Sequence, residues 1–276
     1  MTAPPLTWLY APGDRPHVVA KALAAGADVV VIDLEDAVAP DRKEYARAAT
    51  AELLSAPQPV PVHVRVNALD GPLAPRDLDA VADRPGLSGL RLPKVTSPEQ
   101  IIRTAERSAP STAGAPALYA LLETALAVEH AHAIASAHPT LRGIALGEAD
   151  LRADLGVRED AGLDWCRSRI VVAARAAGLP PSPQSVHPDI RDLEGLAASC
   201  AHGRTLGFLG RAAIHPRQLP IIERAYLPTE REVEEAETIL KAATTQQGAQ
   251  ALPDGRFIDA AVVAAARRTL SLARRN

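Results

Sequence analysis

Aromatic residues are scarce in this chain of 276 residues, at 3% of the total, so alanine, valine and leucine must build its core. A large excess of charge of either sign is lacking as well. A net charge of −3 gives no basic footprint for nucleic acid. No apolar run approaches the roughly 20 residues of a membrane span. The opening, MTAPPLTWLYAPGDRP, has neither a basic n-region nor a long apolar h-region. No signal peptide is expected there, and the expected compartment is the cytoplasm. The two cysteines, Cys166 and Cys200, have no metal-ligand spacing and read as small buried hydrophobes in a reducing compartment. No repeat, low-complexity tract or clear linker divides the body.

What is present is alternation. Short β-branched runs recur at 7–13, 29–35, 60–67, 88–95, 117–123, 143–150, 183–189 and 210–216. Between them lie Ala/Leu/Arg-rich stretches with helical character, such as RPHVVAKALAAGA and RKEYARAATAELL. Strands alternating with helices predict parallel βαβ units. Eight in series, ending near residue 225, predict an α/β fold of the (β/α)8 TIM-barrel type. A doubly wound open sheet is the rival. Its glycine-rich phosphate turn is missing, because the first turn reads APGDRP and not GxGxxG. Two amphipathic stretches follow, joined by GAQALPDGR at 248–256. The reading is a barrel over 1–226 and a helical C-terminal extension over 227–276. A closed barrel leaves that extension needing an apolar surface, and a neighbouring subunit supplies one.

The stretch VVVIDLEDAV, 29–38, runs four apolar residues straight into Asp33, Glu35 and Asp36. The same happens along the chain. The predicted strands carry Arg65, Asn67, Lys94, Glu123, Glu148, Asp150 and His215 at their carboxyl ends. In a parallel barrel that rim is where chemistry sits. A lone Asp after a strand is ordinarily a helix cap or a turn residue, but six consecutive strands share the bias. Arg65 and Lys94 suit a carboxylate or thioester oxygen. Glu123 and Asp150 suit a hard divalent cation, with magnesium keeping several waters. Glu35 and Asp36 are placed to hold Arg65, Lys94 or a metal-bound water; the plainer alternative is a helix cap and a surface residue. Asp33 alternates with Glu35 on one face of the strand, so it must be paired if that face is interior. His130 and His132 lie on a predicted helix without zincin spacing and read as solvent-facing.

Seven segments, LYAPGDRP, ADVVVIDLEDAVAP, VRVN, LPKV, LLETA, GEADLRADLG and IHPRQ, occur in one order. Together they resemble the citrate lyase beta-subunit-like family, within the HpcH/HpaI aldolases and malyl-CoA lyases, over about residues 7–226. The resemblance implies a barrel, usually trimeric, that uses magnesium on coenzyme A thioesters. Such enzymes cleave or form a 3-hydroxyacyl-CoA, yielding acetyl-CoA or a homologue and an oxo acid, and several also hydrolyse the thioester. It implies Glu123 and Asp150 as metal ligands and Arg65 as the residue holding substrate near the metal. Tyr10 and Arg15 fall where the family meets coenzyme A. Asp259 matches an acid or base supplied by a neighbouring subunit; as the first residue of a helix it is equally placed to be an N-cap. The sequence departs from the family at Leu126 and Ala127, at the Glu148-Ala149 order, at His187 and Asp189, and at Arg211. These lie around the acyl half of the site. The leading expectation is therefore a CoA-ester lyase. The alternatives are a CoA-independent class II oxo-acid aldolase and a non-catalytic subunit of a lyase complex.

Overall fold

The computed structural model describes residues 4–108, 115–245, 250–251 and 257–274. Its backbone divides into two units, Leu6–Ala225 and the described residues of 1–5 and 226–276.

In the larger unit, seven strands form one parallel sheet: β1 (Thr7–Pro12), β2 (Val29–Asp33), β3 (Val62–Arg65), β4 (Leu87–Leu92), β5 (Ala117–Leu122), β6 (Leu141–Leu146) and β7 (Arg211–Ala213). Their order is β6-β5-β4-β3-β2-β1-β7, a parallel half-barrel in which the first six strands pair in chain order. Helices occupy the crossovers: α1 (Pro16–Leu23), α2 (Lys43–Leu53), α3 (Ala74–Val81), α4 (Pro98–Arg107), the pair α5 (Ala125–Glu129) and α6 (Ala131–Ala135), α7 (Glu148–Leu155), α8 (Asp164–Ala176) and α9 (Leu193–Leu206); α10 (Leu219–Tyr226) follows β7. The strand expected at 183–189 is reduced to one parallel bridge, Gln184 with Arg211. Pro181, Pro183 and Pro188 supply no N–H to a ladder, which keeps that run short. Its path is still strand-like. Leu209 N donates to Ser182 O, Gln184 N to Gly210 O, and Ala212 N to Gln184 O.

The two-residue period divides the strand side chains into two layers. Leu9, Val30, Ile32, Val62, Val64, Leu90, Leu92, Leu118 and Leu122 are buried and form the apolar set. Each such side chain contributes about 1.5–3 kcal/mol on burial. The alternate set mixes the aliphatic Val29, Val31 and Leu121 with polar and aromatic residues: Trp8, Tyr10, Asp33, His63, Arg65, Arg91 and Tyr119. His63 and Tyr119 stack with ring centroids 4.5 Å apart. The polar layer is thus created by the same alternation that buries the aliphatic one.

The smaller unit pairs α11 (Glu230–Thr245) with α12 (Ala260–Ala273) around Ala236, Ile239, Ile258 and Ala266. A two-residue antiparallel pair, Gln250–Ala251 with Phe257–Ile258, precedes the second helix. The expected joint at 248–256 lies mostly outside the described residues. No helix among the described residues is long and apolar enough to cross a membrane.

Candidate active site

Glu123 follows β5 directly. Its side chain alternates inward after Tyr119 and Leu121, and Thr124 ends the strand by capping α5, accepting from Ala127 N at 3.2 Å. Gly147 closes β6 beside it, donating its N–H to Leu122 O at 3.0 Å. A Cβ on Gly147 would stand 2.3 Å from Glu123 Cγ, so the glycine is what lets the carboxylate through. The segment expected as strand 143–150 stops at Leu146, and Glu148 opens α7. Asp150 therefore sits in the first turn of a helix rather than at a strand end. The helix N-terminus favours negative charge there.

Glu123 and Asp150 line one cavity of about 440 Å³ together with Tyr10, Asp33, Asp36, Arg65 and Arg91. Glu123 is 3% exposed, and its Oε2 is buried without a hydrogen-bond partner. Burial, then hydrogen bonding to Asp150 and the charge of Glu35, push its carboxyl up to about 9; Arg65 works in the opposite direction. Asp150 is half exposed, with Lys94 Nζ at 3.9 Å as its ion-pair neighbour. A buried carboxylate with a free oxygen beside an exposed one is a donor set for a hard cation that keeps several waters. No group of three or more His, Cys, Asp or Glu suited to a metal exists among the described residues.

The acids that end β2 form a lattice around Arg65. Asp33, 1% exposed, accepts from Arg65 Nε at 2.8 Å and Nη2 at 2.6 Å. Its two oxygens also accept the backbone N–H groups of Glu35 and Ala37. Glu35 accepts from Lys94 Nζ at 2.7 Å and lies 3.1 Å from Arg65 Nη1. Burial raises the Glu35 carboxyl, against the charge of Arg65. Burial would lower the Lys94 ammonium, but the hydrogen bond and charge of Glu35 outweigh it and raise it. The same contest raises Arg65, with Asp33 the winning partner. Asp36 is more loosely held, 3.6 Å from Arg65 and 3.8 Å from Lys94. Lys94 reaches this position from a backbone φ of +54°, the one positive φ outside glycine among the described residues.

Tyr10 lines the cavity with its ring 5.4 Å from the Arg65 guanidinium carbon. Arg15 is exposed at the start of α1, with Asp14 at 4.0 Å, and does not line the cavity. Asp259 belongs to the smaller unit, where it is the N-cap of α12 and accepts from Val262 N at 2.9 Å. Asn67 is taken up by Asp77, and His215 caps a short turn. His130 is exposed, its Nδ1 2.9 Å from Thr96 O.

Three residues the sequence did not single out belong to this neighbourhood. Arg167, fully buried on α8, grips Glu148 with two bonds of 2.9 and 2.8 Å and also holds Asp160 and Asp164. It anchors the turn that carries Asp150. Gly147 is the second. Arg91 is the third, a charge in the middle of the strand LSGLRL, and that isolation was the available signal.

The sequence profile described as HpcH/HpaI aldolase/citrate lyase matches residues 6–216. The chain belongs to that family. Aldolases and citrate lyases are both carbon–carbon lyases. The chain is 33% identical to the citrate lyase subunit beta of Leuconostoc mesenteroides subsp. cremoris, over 98% of this chain and 93% of that one. It is 35% identical to the (3S)-malyl-CoA thioesterase of Cereibacter sphaeroides, over 96% and 93%. The crystal structure of CitE from Mycobacterium tuberculosis in complex with magnesium, acetoacetate and coenzyme A superposes with a TM-score of 0.82. That match has 35% identity and covers 99% of this chain and 98% of the other.

Proposed function

We propose that this family member is a magnesium-dependent lyase that cleaves or forms a 3-hydroxyacyl-CoA, with acetyl-CoA or a homologue and an oxo acid as the other side of the reaction. One observation carries the reading. Glu123 and Asp150 share a cavity with a guanidinium, Arg65, whose position is fixed by bonds to Asp33. Retro-Claisen cleavage needs a hydroxyl proton removed and the charge of a thioester enolate stabilised. Bound magnesium would supply Lewis acidity at the hydroxyl oxygen and the forming carbonyl. Glu123 and Asp150 would hold the ion without filling its coordination sphere. Arg65 aims fixed donors at the carboxylate or enolate oxygen, and its alignment is already set before substrate arrives. Lys94, tied to Glu35, adds a second positive charge at the rim. Tyr10 faces the acyl part, and Arg15, outside the cavity, is left for the coenzyme A chain.

The same reading closes the (β/α)8 barrel through the Ser182–Gln184 segment. It also makes the protein a cytoplasmic homotrimer in which the 227–276 extension packs on a neighbour. Asp259 of that neighbour would then deliver or accept the proton.

Isothermal titration of magnesium into Glu123→Gln and Asp150→Asn tests the metal site. At least tenfold weaker binding is expected in each, and unchanged affinity in both would remove the assignment. Malyl-, citramalyl- and citryl-CoA, assayed with magnesium for release of acetyl-CoA, test the reaction. The thioesterase relative gives a second reading, hydrolysis of the thioester. It is separated by free coenzyme A thiol appearing in place of acetyl-CoA.

A further inference from the structure

Arg65 and Arg91 are register partners on adjacent strands, and the Tyr10 ring lies 5.4 Å from one guanidinium and 5.9 Å from the other. Their surroundings differ. Arg65 is charge-paired with Asp33 and Glu35, with N–H donors to spare. Arg91 is 2% exposed, has no carboxylate within 4.0 Å among the described residues, and its Nε is buried without an acceptor. Its other neighbours are the rings of Trp8 and Tyr119, at 5.7 and 5.6 Å. Those faces attract a cation weakly and carry no counter-charge. His63, stacked on Tyr119, offers none either, since an imidazole carries no negative charge. A buried unpaired charge is among the most costly features a core can contain. Arg91 nevertheless lines the cavity, where Ala11, Ala145 and Ala212 also stand and leave room before it.

We propose that Arg91 binds a second carboxylate of the substrate, at the far end of its oxo-acid half. The inference rests on the lyase reading above and narrows its substrate class. The first carboxylate belongs to the metal and Arg65 at the rim. The second extends inward and supplies the anion that the protein itself withholds. The oxo acid released or consumed is then dicarboxylic, and a monocarboxylic acid such as pyruvate or glyoxylate leaves the guanidinium unpaired.

The test is calorimetric binding in the presence of magnesium, with acids matched in length that differ in the terminal carboxylate. Oxaloacetate is compared with 2-oxobutyrate, and 2-oxoglutarate with 2-oxovalerate. The wild-type protein is expected to favour the diacid at least tenfold in one pair, about 1.4 kcal/mol. In Arg91→Met the ratio should collapse towards one, and in Arg91→Lys it should fall at least threefold because the planar fork is lost. Melting curves confirm folding, and if the methionine variant does not fold, the lysine variant decides. Binding of both acids without preference, or a preference that survives the substitutions, overturns the role of Arg91 and leaves the lyase reading standing. Failure of every acid to bind removes the lyase reading, and this inference with it.

Discussion

Asp33→Asn replaces one carboxylate oxygen with an NH2 group and changes almost no volume. Whichever way the amide turns, the new NH2 faces two donors. Placed at Oδ1 it meets Arg65 Nε and Glu35 N; placed at Oδ2 it meets Arg65 Nη2 and Ala37 N. One charge-assisted bond is lost, worth about 1.5–3 kcal/mol, and one backbone N–H loses its acceptor at a cost of about 1–3 kcal/mol. Glu35 stays 3.1 Å from Arg65 and limits the damage. The expected destabilisation is about 3–5 kcal/mol, the range for breaking a buried pair. For a domain of this size that lowers Tm by roughly 10 °C. Asp36→Asn is the control. Its carboxylate is 59% exposed and 3.6 Å from Arg65, so solvent screening holds its contribution below about 1 kcal/mol. Urea unfolding of both variants, with m compared to wild type, measures the difference. Equal midpoints for the two variants, or a loss under about 1 kcal/mol for Asp33→Asn, would refute the claim that Asp33 is what fixes Arg65.

Three other outcomes are expected. A Glu123 carboxyl at about 9 is protonated near neutral pH, so magnesium binding should displace close to one proton there and about half a proton near pH 9. Calorimetry in two buffers of different ionisation enthalpy counts it, and a count of zero contradicts the assignment. The sign for metal-free stability follows: the raised carboxyl contributes fully below its ordinary 4.5, and that contribution is lost as pH rises through about 9. Gly147→Ala should push Glu123 aside and weaken magnesium binding at least tenfold while the fold persists, since the clash is with a movable side chain; unaltered affinity would show that the close approach is unimportant. Asp259→Asn keeps an N-capping side chain and should melt within about 1 kcal/mol of wild type. Mixed with Glu123→Gln chains it should regain activity if sites are shared between subunits. Mixed oligomers confirmed by mass spectrometry but inactive would leave Asp259 as a cap alone.

The β-branched runs were legible because burial on a parallel sheet demands them. Seven strands, at 7, 29, 62, 87, 117, 141 and 211, begin within two residues of expectation. The 183–189 run shows the alternation of a strand, but its prolines remove the donors a ladder needs and only one bridge forms. GEAD follows an apolar run, and that continuity predicts strand where the structure has helix. Its Glu and Ala are helix formers, and the chain turns at Gly147. Glu123, Asp150, Arg65, Lys94, Glu35 and Asp36 could be named from pattern and resemblance. Arg167 gave no such signal and Arg91 only its isolation within an apolar strand, since both act through what surrounds them in space. For Arg167 that is three acids; for Arg91 it is the lack of any within 4.0 Å among the described residues.

Lys94 carries a consequence for how this chain would drift under selection. Holding a non-glycine residue at a φ of +54° costs about 1–2 kcal/mol, and a half-exposed ammonium on Glu35 returns an amount of the same size. Thermal stability is then nearly indifferent to what occupies the position. A lineage screened for heat resistance alone would let the position drift, with glycine and asparagine, which adopt that backbone freely, among the residues accepted. A lineage required to turn over its substrate would retain the lysine. Sequencing the survivors of the two regimes at this codon would show which pressure each had met.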